Sequence, residues 1–86
     1  MQRRVTNTML ILRNIKREGN TISADYYPEG EAEFGHIEID SISGEIVFLQ
    51  KAPINMHSPF ATHARYELMR LSNLKKLPEE RTVLWY

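Results

Sequence analysis

The sequence predicts an α+β domain in the order β-β-β-β-α-β: a small antiparallel sheet, made of a four-strand meander plus a short C-terminal strand, packed against one helix. Three observations predict it. Residues 21–27 and 33–40 alternate apolar and polar side chains with a period of two, as strands with one wet face do. Asp40-Ser41-Ile42-Ser43-Gly44-Glu45 carries the chemistry of a tight loop joining two such runs. From Phe60 onward apolar residues recur at three and four, the spacing of a helix.

Residues 8–17 (TMLILRNIKR) begin apolar and turn polar, which predicts a strand buried at its start and emerging into water from Arg13 to Arg17. Glu18-Gly19-Asn20 then makes a turn. Along Thr21 to Tyr27 the alternation puts Ile22, Ala24 and Tyr26 on one face and Thr21, Ser23, Asp25 and Tyr27 on the other; Pro28, Glu29 and Gly30 end the run. From Glu33 to Asp40, Gly35, Ile37 and Ile39 face one way and Phe34, His36, Glu38 and Asp40 the other. Gly44 is free to take the positive φ that a bulged hairpin loop requires. The returning strand, Glu45 to Leu49, is apolar at Ile46, Val47, Phe48 and Leu49, so it is expected to be covered on both faces and central in the sheet.

Residues 51–59 hold two prolines and no periodicity, and read as a connecting loop. Ser58 is placed to cap the helix that follows, with Pro59 at its first position, where a missing N–H costs nothing. Phe60, Ala64, Leu68, Leu71 and Leu74 or Lys75 form the stripe that should lie on the sheet, while Arg65, Arg70, Asn73 and Lys76 fall mostly elsewhere. Leu77-Pro78 is expected to end the helix, since proline disfavours helical geometry in the residue before it. Thr82 to Tyr86, rich in branched and aromatic residues, reads as the last strand.

Eighty-six residues fit a single domain, 1–86, with a modest core, and 42% apolar and 26% charged residues are ordinary globular proportions. There is no cysteine, which excludes disulfides, thiolate metal sites and thiol nucleophiles, and makes a reducing cytoplasm the expected location. The longest apolar run, Met9 to Leu12, is far shorter than the roughly 18 residues of a membrane span, and the start of the chain has basic residues but too short an apolar stretch for a secretory signal, so no membrane association is expected.

Charge is segregated along the chain. Residues 1–18 carry five basic residues against one acid, residues 19–50 seven acids and no Lys or Arg, and residues 51–86 six basic residues against three acids. The blocks amount to +4, −7 and +3 in a chain of zero net charge. Such a chain is expected to fold with a dipolar surface that attracts or repels charged partners. Asp25, Glu29, Glu31, Glu33, Glu38 and Asp40 are the candidate acidic docking face, for a basic protein surface or as a mimic of a phosphate backbone. Arg13, Lys16, Arg17, Arg70, Lys75 and Lys76 are the candidate nucleic-acid face, with Arg3, Arg4 and Arg65 able to join it and Tyr26, Tyr27 or Trp85 to supply stacking. The pI of about 6.8 weighs against nucleic acid, whose binders usually carry a basic excess.

Catalytic constellations are weak. His36, Glu38 and Asp40 share one strand face at spacing two, and with His57 or His63 they make the candidate set for a metal, but no ligand-spaced motif accompanies them and a solvated strand face has the same pattern. Ser58 beside His57, and Ser41 and Ser43 in the loop, sit in no nucleophile elbow. The central carboxylates show nothing that would raise one member of an acid and base pair, and the four glycines are too scattered to cradle phosphate. Val83 to Tyr86, an uncharged run, is expected either to pack in the core or to present a sheet edge open to strand addition, a copy of the same chain included.

Residues 37–48, IEIDSISGEIVF, are similar to the D-x-x-x-G-E hairpin of many small bacterial domains, including PepSY-type modules, through Asp40, Gly44 and Glu45. In that module the helix precedes the hairpin, whereas here it follows, so neither fold nor activity is carried over. The expectation is a non-enzymatic interaction module, a bacterial or phage accessory protein without a cofactor, docking on a protein through its acidic face. The alternatives are the nucleic-acid face and a small metal-dependent enzyme or metal-binding protein.

Overall fold

In the computed structural model, the described residues are 9–29, 32–52 and 60–84. They form β1 (Met9–Glu18), β2 (Thr21–Pro28), β3 (Gly35–Asp40), β4 (Ile46–Gln50), α1 (Phe60–Leu71) and β5 (Glu80–Leu84). The five strands make one antiparallel sheet in the order β4-β3-β2-β1-β5, with α1 against one face. This is the α+β fold that the alternation of residues 21–27 and 33–40 predicts.

The two alternating runs bury the faces expected of them, although β2 includes Pro28 and β3 begins at Gly35 rather than Glu33. Ile22, Ala24, Tyr26, Ile37 and Ile39 are buried on the helix side, and Gly35 sits with them. In α1, Phe60, Ala64, Leu68 and Leu71 close the core from above. Each fully buried Leu or Ile contributes about 1.5–3 kcal/mol by leaving water, so Leu10, Leu12, Ile22, Ile37, Ile39, Leu68 and Leu71 are the main source of stability.

β1 does not simply emerge into water. Its register with β2 passes from Arg13↔Asp25 to Lys16↔Ser23, three residues on β1 against two on β2. Asn14 is the extra residue in this bulge, in the left-handed region at φ 55 that Asn tolerates better than most residues. The inserted residue inverts the alternation. Leu10 and Leu12 face the core before it and Ile15 faces the core after it, while Arg13 and then Lys16 turn to the other side. A strict period of two would have buried Lys16 and exposed Ile15.

Three expectations need correction. First, β4 is an edge strand rather than a central one, and Ile46, Val47 and Phe48 are exposed. An unbroken apolar run carries no information about how many neighbours a strand has, and here β5 joins the sheet beside β1, through pairs from Met9↔Leu84 to Arg13↔Glu80, leaving β4 outermost. Second, α1 stops at Leu71, short of Leu77. The Ser72 hydroxyl donates to the Met69 carbonyl at 2.7 Å, and the Leu74 N–H goes to Leu71 at 2.9 Å, so the chain tightens into a turn there. Leu74 is consequently exposed rather than part of the stripe. Third, the last described strand begins at Glu80, two residues before the expected start, so this edge carries Glu80 and Arg81 and is not uncharged. Ser58, Pro59, Trp85 and Tyr86 lie outside the described residues.

Candidate functional site

The helix covers one face of the sheet, and the other is open. Register places Arg13 and Lys16 of β1, Thr21, Ser23, Asp25 and Tyr27 of β2, His36, Glu38 and Asp40 of β3, and Phe48 and Gln50 of β4 on that open face, since directly paired residues point the same way. Two cross-strand rows matter most: Arg13, Asp25, His36 and Gln50 form one, and Lys16, Ser23, Glu38 and Phe48 the next.

At the centre is His36. Its Nδ1 lies 2.8 Å from Asp25 Oδ1 and its Nε2 lies 2.9 Å from Glu38 Oε2. A neutral imidazole has a single N–H, so only the imidazolium donates to both carboxylates. Partial burial pulls the His36 pKa down, but the hydrogen bonds and charges of Asp25 and Glu38 outweigh it, and the net displacement is upward from the ordinary histidine value. Asp25 is fixed from its other side, where the Asn14 amide donates to Oδ2 at 2.8 Å. A hydrogen-bonded chain, Asn14–Asp25–His36–Glu38, thus crosses β1, β2 and β3, and the Phe48 ring of β4 stands 5.9 Å from the imidazole. Beside it is a concavity of about 350 Å³ whose lining adds Lys16, Glu18, Thr21 and Ser23 to these polar groups.

The candidate acidic residues are used in different ways. Asp25 and Glu38 meet at His36. Asp40 serves the hairpin loop, its Oδ1 accepting the Ile42 and Ser43 N–H groups at 2.7 and 3.2 Å. Glu29 follows β2 in the left-handed region at φ 51, and Glu33 is exposed just ahead of β3. Glu31 lies outside the described residues. Ser43 also belongs to the loop, accepting the Glu45 N–H at 3.2 Å.

The basic candidates fall into two groups. Arg13 and Lys16 share the open face with the acids; Arg13 lies 3.6 Å from Glu80 and 4.7 Å above the Tyr27 ring. Arg17, after the bulge, pairs with Ile22 on the helix side and donates to the Ser72 carbonyl at 2.8 Å, just past the end of α1; Lys75 and Lys76 are exposed in the turn that follows. Arg70 pairs with Glu67, which also takes Arg81 at 3.1 Å. Folding therefore interleaves Arg13 and Lys16 with the central acids on one face. It leaves β2 and β3 themselves without any Lys or Arg.

Among the described residues no three His, Asp or Glu side chains are grouped so as to hold a metal ion. The set His36, Glu38 and Asp40 is divided between the imidazole bridge and the loop, and His57 lies outside the described residues. Sequence reasoning missed Asn14 and Phe48. A polar Asn interrupting an apolar strand was a usable signal for the bulge, whereas the approach of Phe48 to His36 depends on strand order. Exposed aromatics complete the surface: Phe34, 44% exposed, stacks on Tyr27 at 4.7 Å, and Phe48 is 49% exposed. No family model matches the chain, and comparison with curated proteins and with solved structures gave no match either.

Proposed function

We propose that the chain is a non-enzymatic interaction module that docks on a protein whose surface is basic and apolar, using the β2–β3–β4 part of the open face. One observation carries this reading: β2 and β3 turn Asp25, Glu38 and Asp40, and no Lys or Arg, to the open face, beside the exposed rings of Phe34 and Phe48. Opposite charges steer encounter and set orientation, while exposed aromatic rings supply buried area once water is expelled. The reading is tested by capturing partners from cell extract at low and high salt with the wild type, with Glu33→Lys/Glu38→Lys and with Phe48→Asp. A partner lost on charge reversal, weakened by salt and lost with Phe48→Asp supports it. Capture that survives both variants refutes it.

A second reading has its own observation. Arg17 is hydrogen-bonded to Ser72 just past α1, and the exposed Lys75 and Lys76 follow within four residues of Ser72 in the chain, a local basic excess of the kind that suits nucleic acid. A steep fall of log affinity with log salt against duplex or single-stranded oligonucleotides would favour it. No binding at low salt removes it.

A further inference from the structure

We propose that His36 is a proton-operated clamp: as imidazolium it bridges Asp25 and Glu38, and on losing its proton it keeps Asp25 and releases Glu38 into the neighbouring concavity, where Lys16 is the cation that faces it. The bridge exists only in the charged form. With a neutral ring, one nitrogen presents a lone pair to a carboxylate held 2.8 or 2.9 Å away, and that contact turns from attraction to repulsion.

Which side opens follows from how each carboxylate is held. Asp25 has a second anchor, the Asn14 amide at 2.8 Å, and its side chain is 17% exposed. Among the described residues Glu38 is hydrogen-bonded by His36 alone, its side chain is 36% exposed, and it stands on a longer, more flexible stem. The neutral ring therefore retains its Nδ1–H for Asp25 and turns its Nε2 lone pair to Glu38, which moves away.

The surroundings provide a new partner. From β1, Lys16 and Glu18 line the same concavity, and Arg13, opposite Asp25, is committed to Glu80 and the Tyr27 ring. From β3, Asp40 is held by the loop N–H groups; from β4, Phe48 and Gln50 bring no charge; and on the far side of His36 lie Glu33 and Lys51. Lys16 and Glu38 are separated across the concavity by Ser23, a distance of about two strand spacings, or roughly 10 Å at the backbone, that the two extended side chains span together. Deprotonation thus exchanges one ion pair for another and shifts negative charge toward the β1 side of the open face.

The sign of the stability change is set by the upward displacement at His36. The contribution of the bridge is complete below about pH 6.5, the ordinary histidine value, and is lost as pH rises through the higher value of the folded protein. The experiment is an NMR titration of the His36 ring in the wild type, Glu38→Gln, Asp25→Asn and Lys16→Met. Expected are a His36 midpoint above 6.5, proton affinity reduced about tenfold by Asp25→Asn and by less in Glu38→Gln, and a high-pH shift of the Glu38 side-chain signals that disappears in Lys16→Met. A ring that titrates at or below the ordinary value, or a midpoint indifferent to both carboxylate substitutions, overturns the clamp. A Glu38 signal that does not respond to the titration, or responds equally without Lys16, overturns the exchange. Because no partner is involved, these outcomes are independent of the docking surface.

Discussion

Replacing Gly35 by alanine tests the packing under the open face. Gly35 is paired with Tyr26, and a methyl group there would sit 2.5 Å from the Gln50 carbonyl oxygen and 2.5 and 2.6 Å from two atoms of the Tyr26 ring. Contacts this close do not survive, so something must move. The ring has little room, being 3% exposed, and its hydroxyl accepts the Ala52 N–H at 3.1 Å. Overpacking costs about 1–3 kcal/mol, and breaking the Tyr26–Ala52 bond while Ala52 stays buried adds about 1–3 more. For a domain of this size each kcal/mol lowers Tm by about 4–8 °C, so Gly35→Ala should melt about 10 °C or more below the wild type. Gly19→Ala is the control. Its φ is +61 with no atom within 4 Å of the added carbon, so only the conformational cost remains, about 1 kcal/mol. Thermal unfolding followed by circular dichroism gives both values. If Gly35→Ala melts as high as Gly19→Ala, the ring does not pack on Gly35 and the reasoning fails.

Further predictions concern the bulge, the core and the edge. Asn14→Val, which forces a branched side chain into φ 55 and deletes the amide bond to Asp25, should cost about 2–4 kcal/mol in urea unfolding, and Asn14→Gly clearly less; equal losses would mean that backbone conformation is not what Asn14 supplies. Leu68→Ala removes a side chain with no exposure from the middle of α1 and should cost about 2–5 kcal/mol with the denaturant slope unchanged, a loss below 1 kcal/mol being incompatible with its place in the core. Val47→Lys, on the exposed edge, should change stability by no more than about 0.5 kcal/mol, whereas a central strand would not tolerate it.

Much of the fold was legible because its signals are local. The alternation of residues 21–27 and 33–40 located β2, β3 and their buried faces, and Asp40 with Gly44 marked the hairpin loop, where Gly44 has φ +80. The stripe Phe60, Ala64, Leu68 and Leu71 located the helix face. Less of the site was legible. His36, Glu38 and Asp40 were visible as one strand face, but Asp25 reaches His36 only because β2 and β3 pair in one register, and Asp40 is diverted to the loop by a choice between two uses of the same carboxylate.

Hydrophobic period and turn chemistry are properties of a few neighbouring residues, and they determined from the chain alone the order of strands and helix, which face of the helix is buried and which side of β2 and β3 is buried. The meander of the first four strands was also legible; the place of β5 beside β1, the edge position of β4 and the mixing of Arg13 and Lys16 with the central acids were decided by the tertiary structure. The physical reason is that pairing between distant segments is settled by the total area buried and the backbone groups satisfied across the whole sheet. Neither sum is written in any one stretch of residues.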